Sequence, residues 1–269
     1  MSGEVSVTVA ADFPGETDKR AQAHAANRQK MKDAVALTEQ QLRKMDSTLK
    51  KTTAVMKKIK MMNREVAVAL VEDLDKINLS KFVEEMAVAV AEAKFKTSDL
   101  ASVVDLCVGI STRYSAFPGE LLAQLKKTIP QKKTDKVTNP SKLRVDLRLL
   151  AELMLHGVLN KEGLQCLGAA LSYFVYHEKV DHPSHSLIAS LASSVGWELA
   201  GITPRPLEGD TVIAQRDRLP VSSALTDDQK GTMRDLMLTY WKSLAKKVND
   251  LCDRLNKAKK TVRRQEKSR

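Results

Sequence analysis

The chain has 269 residues, enough for one or two domains with a substantial core, and it is poor in aromatics (4%) and rich in good helix formers. An apolar content of 43% excludes wholesale disorder, and apolar runs such as residues 67–71 are far too short to cross a bilayer. The net charge of +11 is segregated, with +9 on residues 19–60, +6 on 126–148 and +8 on 242–269, so the rest of the chain is acidic.

Residues 1–18 are acidic, contain Pro14-Gly15 and show no apolar period, so they read as a disordered lead. They lack the basic start and apolar stretch of a secretory signal, which predicts an intracellular, cytoplasmic protein. Residues 19–265 read as a single helical domain. From Met31 the pattern is nearly heptad through Val35, Leu42, Met45, Leu49, Met56, Ile59 and Val66, which predicts one long N-terminal helix. Ser80 is placed to cap the next helix, with Phe82, Val83, Met86 and Val90 inward. Thr97 or Ser98 caps another, with Leu100, Val103, Val104, Cys107 and Ile110 inside, and Pro118 suits the first turn of a third that ends near Ile129.

Residues 130–139 form a basic loop leading through Asn139-Pro140, an N-cap followed by proline at the first helical position, into a central helix. On it Leu143, Leu147, Leu150 and Met154 make an apolar stripe, and Arg144, Arg148 and Glu152 a charged one that must be solvated or bonded. Pairing of Lys142 with Asp146 and of Arg148 with Glu152 satisfies that stripe within the helix. Two further helices, 161–178 capped by Asn160 and 186–199, have Leu164, Leu167, Leu171 and Phe174 inward on the first. Residues 201–225 hold three prolines and two glycines and read as a long irregular loop. A last long helix starts at Thr226-Asp227, with Trp241, Leu244, Val248, Leu251, Leu255, Ala258 and Val262 on one seam and a basic tail from about Lys257. It either packs on the first long helix or projects beyond the body.

The fold class is therefore all-α, a HEAT-like stack of antiparallel helix pairs bracketed by long N- and C-terminal helices. No GxSxG, Walker loop, GxGxxG or DEAD-type motif is present, so the sequence reads as non-enzymatic, with no cofactor. His177, His182 and His185 do not make a zincin helix, because HExxH spacing is absent and Pro183 interrupts the helix. Three widely spaced cysteines, Cys107, Cys166 and Cys252, read as buried, reduced thiols. The basic blocks supply the candidate contacts for RNA or an acidic partner. These are Lys50, Lys51, Lys57 and Lys58, then Lys132, Lys133, Lys142 and Arg144, and finally Lys257, Lys259, Lys260, Arg263 and Arg264. No aromatics interleave with them as stacking platforms would, so the same lysines also suit plain solvated helix faces.

Several stretches carry a resemblance: residues 45–60 (MDSTLKKTTAVMKKIK), 78–82 (NLSKF), 92–99 (EAKFKTSD) and 142–153 (KLRVDLRLLAEL), with Arg113-Tyr114, Pro204-Arg205 and Tyr240 to Leu244. In this order, from about residue 40 to 260, the chain resembles the helical middle domain of eukaryotic initiation factor 4G, and within that family its mRNA-surveillance branch. The resemblance implies a HEAT-like stack and a scaffold of nonsense-mediated mRNA decay, working with up-frameshift 1 and up-frameshift 3 type proteins in a cytoplasmic, perinuclear setting. The best-known partner contacts of that branch lie in a third middle domain and an acidic C-terminal segment, so direct contact by these residues is not implied. Two alternatives stand beside it: an initiation-type scaffold holding a DEAD-box helicase on RNA, and a basic coiled-coil or membrane-surface protein. A monomer that stays off membranes is the expectation.

Overall fold

The structure, a computed structural model, describes residues 13–178, 181–202, 219 and 223–267. The lead expected at 1–12 and most of the loop expected at 201–225 lie outside the described residues. The described residues are helical, apart from turns, loops and one isolated bridge between Asp46 and Ile77. The helices are α1 (Phe13–Lys32), α2 (Glu39–Lys44), α3 (Leu49–Lys60), α4 (Arg64–Asp73), α5 (Val83–Glu92) and α6 (Leu100–Arg113), followed by α7 (Phe117–Thr128), α8 (Pro140–Leu155), α9 (Lys161–His177), α10 (His185–Ala200) and α11 (Asp227–Lys267).

Two rows form the body. Helices α3, α5 and α7 stack side by side in one, and α4, α6, α8 and α10 in the other, while α9 packs on α8, and α11 on α9 and α10. Three-residue links such as 61–63 and 114–116 turn consecutive helices back on one another, giving the expected antiparallel pairs. The apolar stripe of α8 is fully inside: Leu143, Leu147, Leu150 and Met154 are buried, and so are Leu149, Ala151, Leu153 and Leu155 on its other sides. Each such leucine contributes roughly 2–3 kcal/mol of burial, and the helix is the middle rung that joins the two ends of the stack. Leu100, Val103, Val104, Cys107 and Ile110 of α6 and Leu167, Leu171 and Phe174 of α9 are buried as their spacing requires, while Leu164, Phe82 and Val83 are half-buried.

Several expectations are corrected. The uninterrupted helix from Met31 to Val66 is four helices, because polar side chains inside the heptad pattern cap new starts. Thr38 and Gln41 form a reciprocal capping box for α2, and the Asn63 side chain accepts from Val66 N at 2.9 Å to start α4. Between them Asp46 pairs its backbone with Lys76 and Asn78, and two members of the supposed seam, Val35 and Leu49, are left exposed. At the N-terminus, α1 begins at Phe13, inside the stretch read as a disordered lead. Ser80 opens a short 3-10 turn held by Asn78 Oδ1, and neither Ser80 nor Asn160 caps its α-helix through a side chain. Thr97 likewise opens a 3-10 turn ahead of α6. Cys107 and Cys166 are buried, but Cys252 is exposed, so the expectation of buried thiols fails for the third cysteine.

Candidate functional site

α1 lies across the second row, and its inward stripe is polar. Thr17, Arg20, His24 and Asn27, at spacings of three, four and three, face α6, α8 and α10. Arg20 is the hub: Nη1 donates to Glu152 Oε1 of α8 at 3.0 Å and Nε to Glu198 Oε1 of α10 at 2.8 Å. Asn27 Nδ2 sits 2.9 Å from Asp105 Oδ1 of α6 and 2.8 Å from His156 Nδ1. Gly157, with φ of 81°, ends α8 in the left-handed region, and a Cβ there would meet Arg28 Cγ of α1 at 3.1 Å. A glycine at that corner therefore both turns the chain and lets α1 approach.

Glu152 is the charged centre. Burial by itself pushes its carboxyl up, but His24, Arg20 and His156 reverse this and hold it down at about 2. His156 is pushed down to about 4, first by burial and then by His24, against the pull of Glu152, so its ring is neutral near pH 7. Arg148 approaches Glu152 Oε1 at 3.7 Å and Lys142 donates to Asp146 Oδ1 at 2.5 Å. Of the charged stripe of α8, Arg148 and Glu152 are thus paired within the helix, while Arg144 stays on the surface. Asp146 is completely buried and also accepts from Thr128 at 2.9 Å, and Lys142 reaches the carbonyl of Ala91 at 2.6 Å.

The predicted basic contacts fall in three separate places. Lys50, Lys51, Lys57 and Lys58 are exposed on α3, with Lys51 paired to Asp46 at 2.5 Å and Lys58 to Asp73 at 2.9 Å. Lys132 and Lys133 are exposed on the loop before α8, which is fixed by backbone donation from Gln131 and Lys132 to Asp135 and by Tyr173 donating to the Asp135 carbonyl at 2.9 Å. Arg144 is exposed on α8, whereas Lys142 is turned into the bonds just described.

The third group lies on α11. Its first third is rooted in the body by buried Met233, Met237 and Tyr240. Tyr240 donates to Glu178 Oε2 at 3.0 Å, a carboxylate that also accepts from Ser184 N and Ser184 Oγ, and burial followed by Glu178 pushes the phenol up. His182 packs edge-on against Tyr240 and bonds Ser243 at 3.0 Å. Beyond Lys247 the helix leaves the body. Val248, Leu251, Leu255 and Val262 are 48–54% exposed, and Lys257, Lys259, Lys260, Arg263 and Arg264 are exposed beside them. Residues 248–267 therefore form a projecting arm about 30 Å long. This decides between the two placements that the sequence left open: the last helix projects.

Sequence reasoning missed Arg20, His24, Asn27 and Glu198. Their spacing on α1 is helical, but the stripe carries charge and amides, so a search for apolar periodicity passes over it.

The two-row stack is the fold of a MIF4G domain, the helical middle domain of initiation factor 4G. It superposes on the N-terminal mIF4G domain of Upf2 from S. cerevisiae with a TM-score of 0.64 at 17% identity, a likeness of fold covering 92% of this chain and 82% of that one. The first MIF4G domain of the human nonsense mediated decay factor UPF2 is more similar, with a TM-score of 0.84 and 29% identity over 93% of this chain and 82% of that one. In sequence the chain is 33% identical to human regulator of nonsense transcripts 2 over 206 residues, 76% of this chain and 16% of that protein. The chain thus corresponds to one domain of a far longer relative, and the resemblance read from its motifs is borne out. No family model matches the sequence.

Proposed function

We propose that this chain is a non-catalytic scaffold of nonsense-mediated mRNA decay, a rigid helical platform that supports assembly of the surveillance complex on mRNA in the cytoplasm, in a perinuclear setting. The observation that carries the reading is the likeness to the first MIF4G domain of UPF2, at 29% identity across 93% of the chain. Its partners on this reading are up-frameshift 1 and up-frameshift 3 type proteins, joined in one complex and not necessarily touched by these residues. The body supplies the platform, its helices tied together by buried bonds such as those of Arg20, Lys142 and Tyr240. The exposed lysines and arginines of the arm, of the loop before α8 and of α3 supply contact with RNA backbone, which needs charge and no base readout.

Affinity purification of the full chain from lysate of its own cells tests the assignment. Recovery of up-frameshift type decay factors with messenger ribonucleoprotein supports it. Recovery of initiation factors and a 4A-type helicase alone would overturn it in favour of the initiation-type reading.

A further inference from the structure

Glu152 divides its two oxygens between different neighbours. Oε1 takes Arg20 at 3.0 Å and Arg148 at 3.7 Å, while Oε2 faces His24 Nε2 at 3.5 Å and His156 Nε2 at 3.9 Å. The imidazole separations are too long for good hydrogen bonds. They are close to the ~3.4 Å that separates two ligands held about 2.1 Å from one tetrahedral ion. Glu152 and His156 are one turn apart on α8, His24 comes from α1, and the three ligand atoms all lie within 4.8 Å of one another.

We propose that His24, Glu152 and His156 form a zinc site that staples α1 to the second row of the stack. Two imidazoles and one carboxylate are a donor set that Zn²⁺ takes with a water in the fourth position. A cavity of about 450 Å³ reaches all three residues and is bounded by Thr97, Ser98 and Asp105, so that position opens on room for water. The His24 side chain is 5% exposed and its Nδ1 has no hydrogen-bond partner among the described residues, so the ring is a buried polar group whose bonding is incomplete without a further partner. The charge balance also admits a cation: Arg20 and Arg148 stand against Glu152, Glu198 and Asp105, a net charge of −1 before the ion enters. Coordination through His156 Nε2 leaves the ring proton on Nδ1, so the Asn27 amide turns its oxygen toward that nitrogen and its NH₂ leaves Asp105. No proton is gained or lost by the protein in this exchange. The ion neutralises Oε2 while Arg20 keeps Oε1, so the site adds a bond across α1 and α8 without displacing the existing one.

Spectroscopic titration with Co²⁺ tests the proposal. The full chain carrying Cys252→Ser, which removes the exposed thiol, is stripped with a chelator and titrated with Co²⁺, then with competing Zn²⁺. Saturation at one ion per chain with the intense absorption of tetrahedral Co²⁺, bleached by Zn²⁺, is expected. His24→Ala and His156→Ala each weaken Zn²⁺ binding by at least ~100-fold, more than loss of an outer partner would, while His185→Ala leaves it unchanged. A weak octahedral Co²⁺ spectrum, or a folded His24→Ala protein that binds Zn²⁺ as tightly as before, overturns the site. Should either alanine variant lose its helical circular dichroism, the Co²⁺ spectrum of the protein with all three ligands decides alone.

Discussion

Replacing Arg20 by alanine strips two buried carboxylates of a partner at once. Glu198 loses the guanidinium at 2.8 Å, and Glu152 loses the one at 3.0 Å but keeps Arg148 and the two histidines nearby. Side chains of both acids are 6–7% exposed, so water does not replace the lost bonds. Removing one partner of a buried pair costs about 3–5 kcal/mol, and because Arg20 itself is 28% exposed the lower end applies, about 3 kcal/mol. The expected result in urea denaturation followed by helical circular dichroism is a lower midpoint with an unchanged slope. Adding Glu198→Gln to Arg20→Ala removes the stranded charge and restores about 1–2 kcal/mol, a coupling that a double-mutant cycle reads directly. A loss under about 1 kcal/mol in Arg20→Ala, or no recovery in the double variant, refutes the view that α1 is pinned to the body by this pair of bonds.

Other expectations follow from the same geometry. Tyr240→Phe leaves Glu178 with its Ser184 bonds but without the phenol, a loss of about 1–3 kcal/mol in the same assay, and an unchanged midpoint would show that the root of α11 is held otherwise. In chelator-treated protein stability falls with acid in two stages. His156, held at about 4 against an ordinary 6.5, lets the unfolded chain take up a proton first, so stability drops as pH falls from about 6.5 to about 4. Glu152, held at about 2 against 4.5, adds a further loss between those values, and equal midpoints at pH 7 and pH 5 contradict the assignment. Truncation after Lys247 removes an arm that buries little, so the thermal midpoint stays within a degree or two while RNA affinity falls and the slope of log affinity on log salt flattens. Undiminished, equally salt-sensitive RNA binding by the truncated chain would move the RNA contact elsewhere.

What the sequence disclosed and what it hid divide along physical lines. The buried stripes of α6, α8 and α9 were readable because their apolar residues repeat at the helical period, and Asn139-Pro140 announced the start of α8 through two independent signals. The pairing of Lys142 with Asp146 and Arg148 with Glu152 followed from four-residue spacing alone. The long N-terminal helix was misread because heptad spacing persists across Thr38 and Asn63, and periodicity carries no record of whether a polar residue caps a new helix or merely faces water. The centre at Arg20, His24, Glu152 and His156 joins residues more than 120 positions apart, and only the docking of α1 on α8 brings them together. The basic residues were visible as charge, but their division into an arm, a loop and a helix face depends on where α11 leaves the body.

A scaffold role in nonsense-mediated decay is measurable as the lifetime of a reporter mRNA carrying a premature stop codon in cells depleted of this protein. In depleted cells the premature-stop reporter is expected to last several-fold longer than in untreated cells, a matched reporter without the early stop is unaffected, and re-expression restores rapid decay. Equal lifetimes of the premature-stop reporter with and without the protein would contradict it.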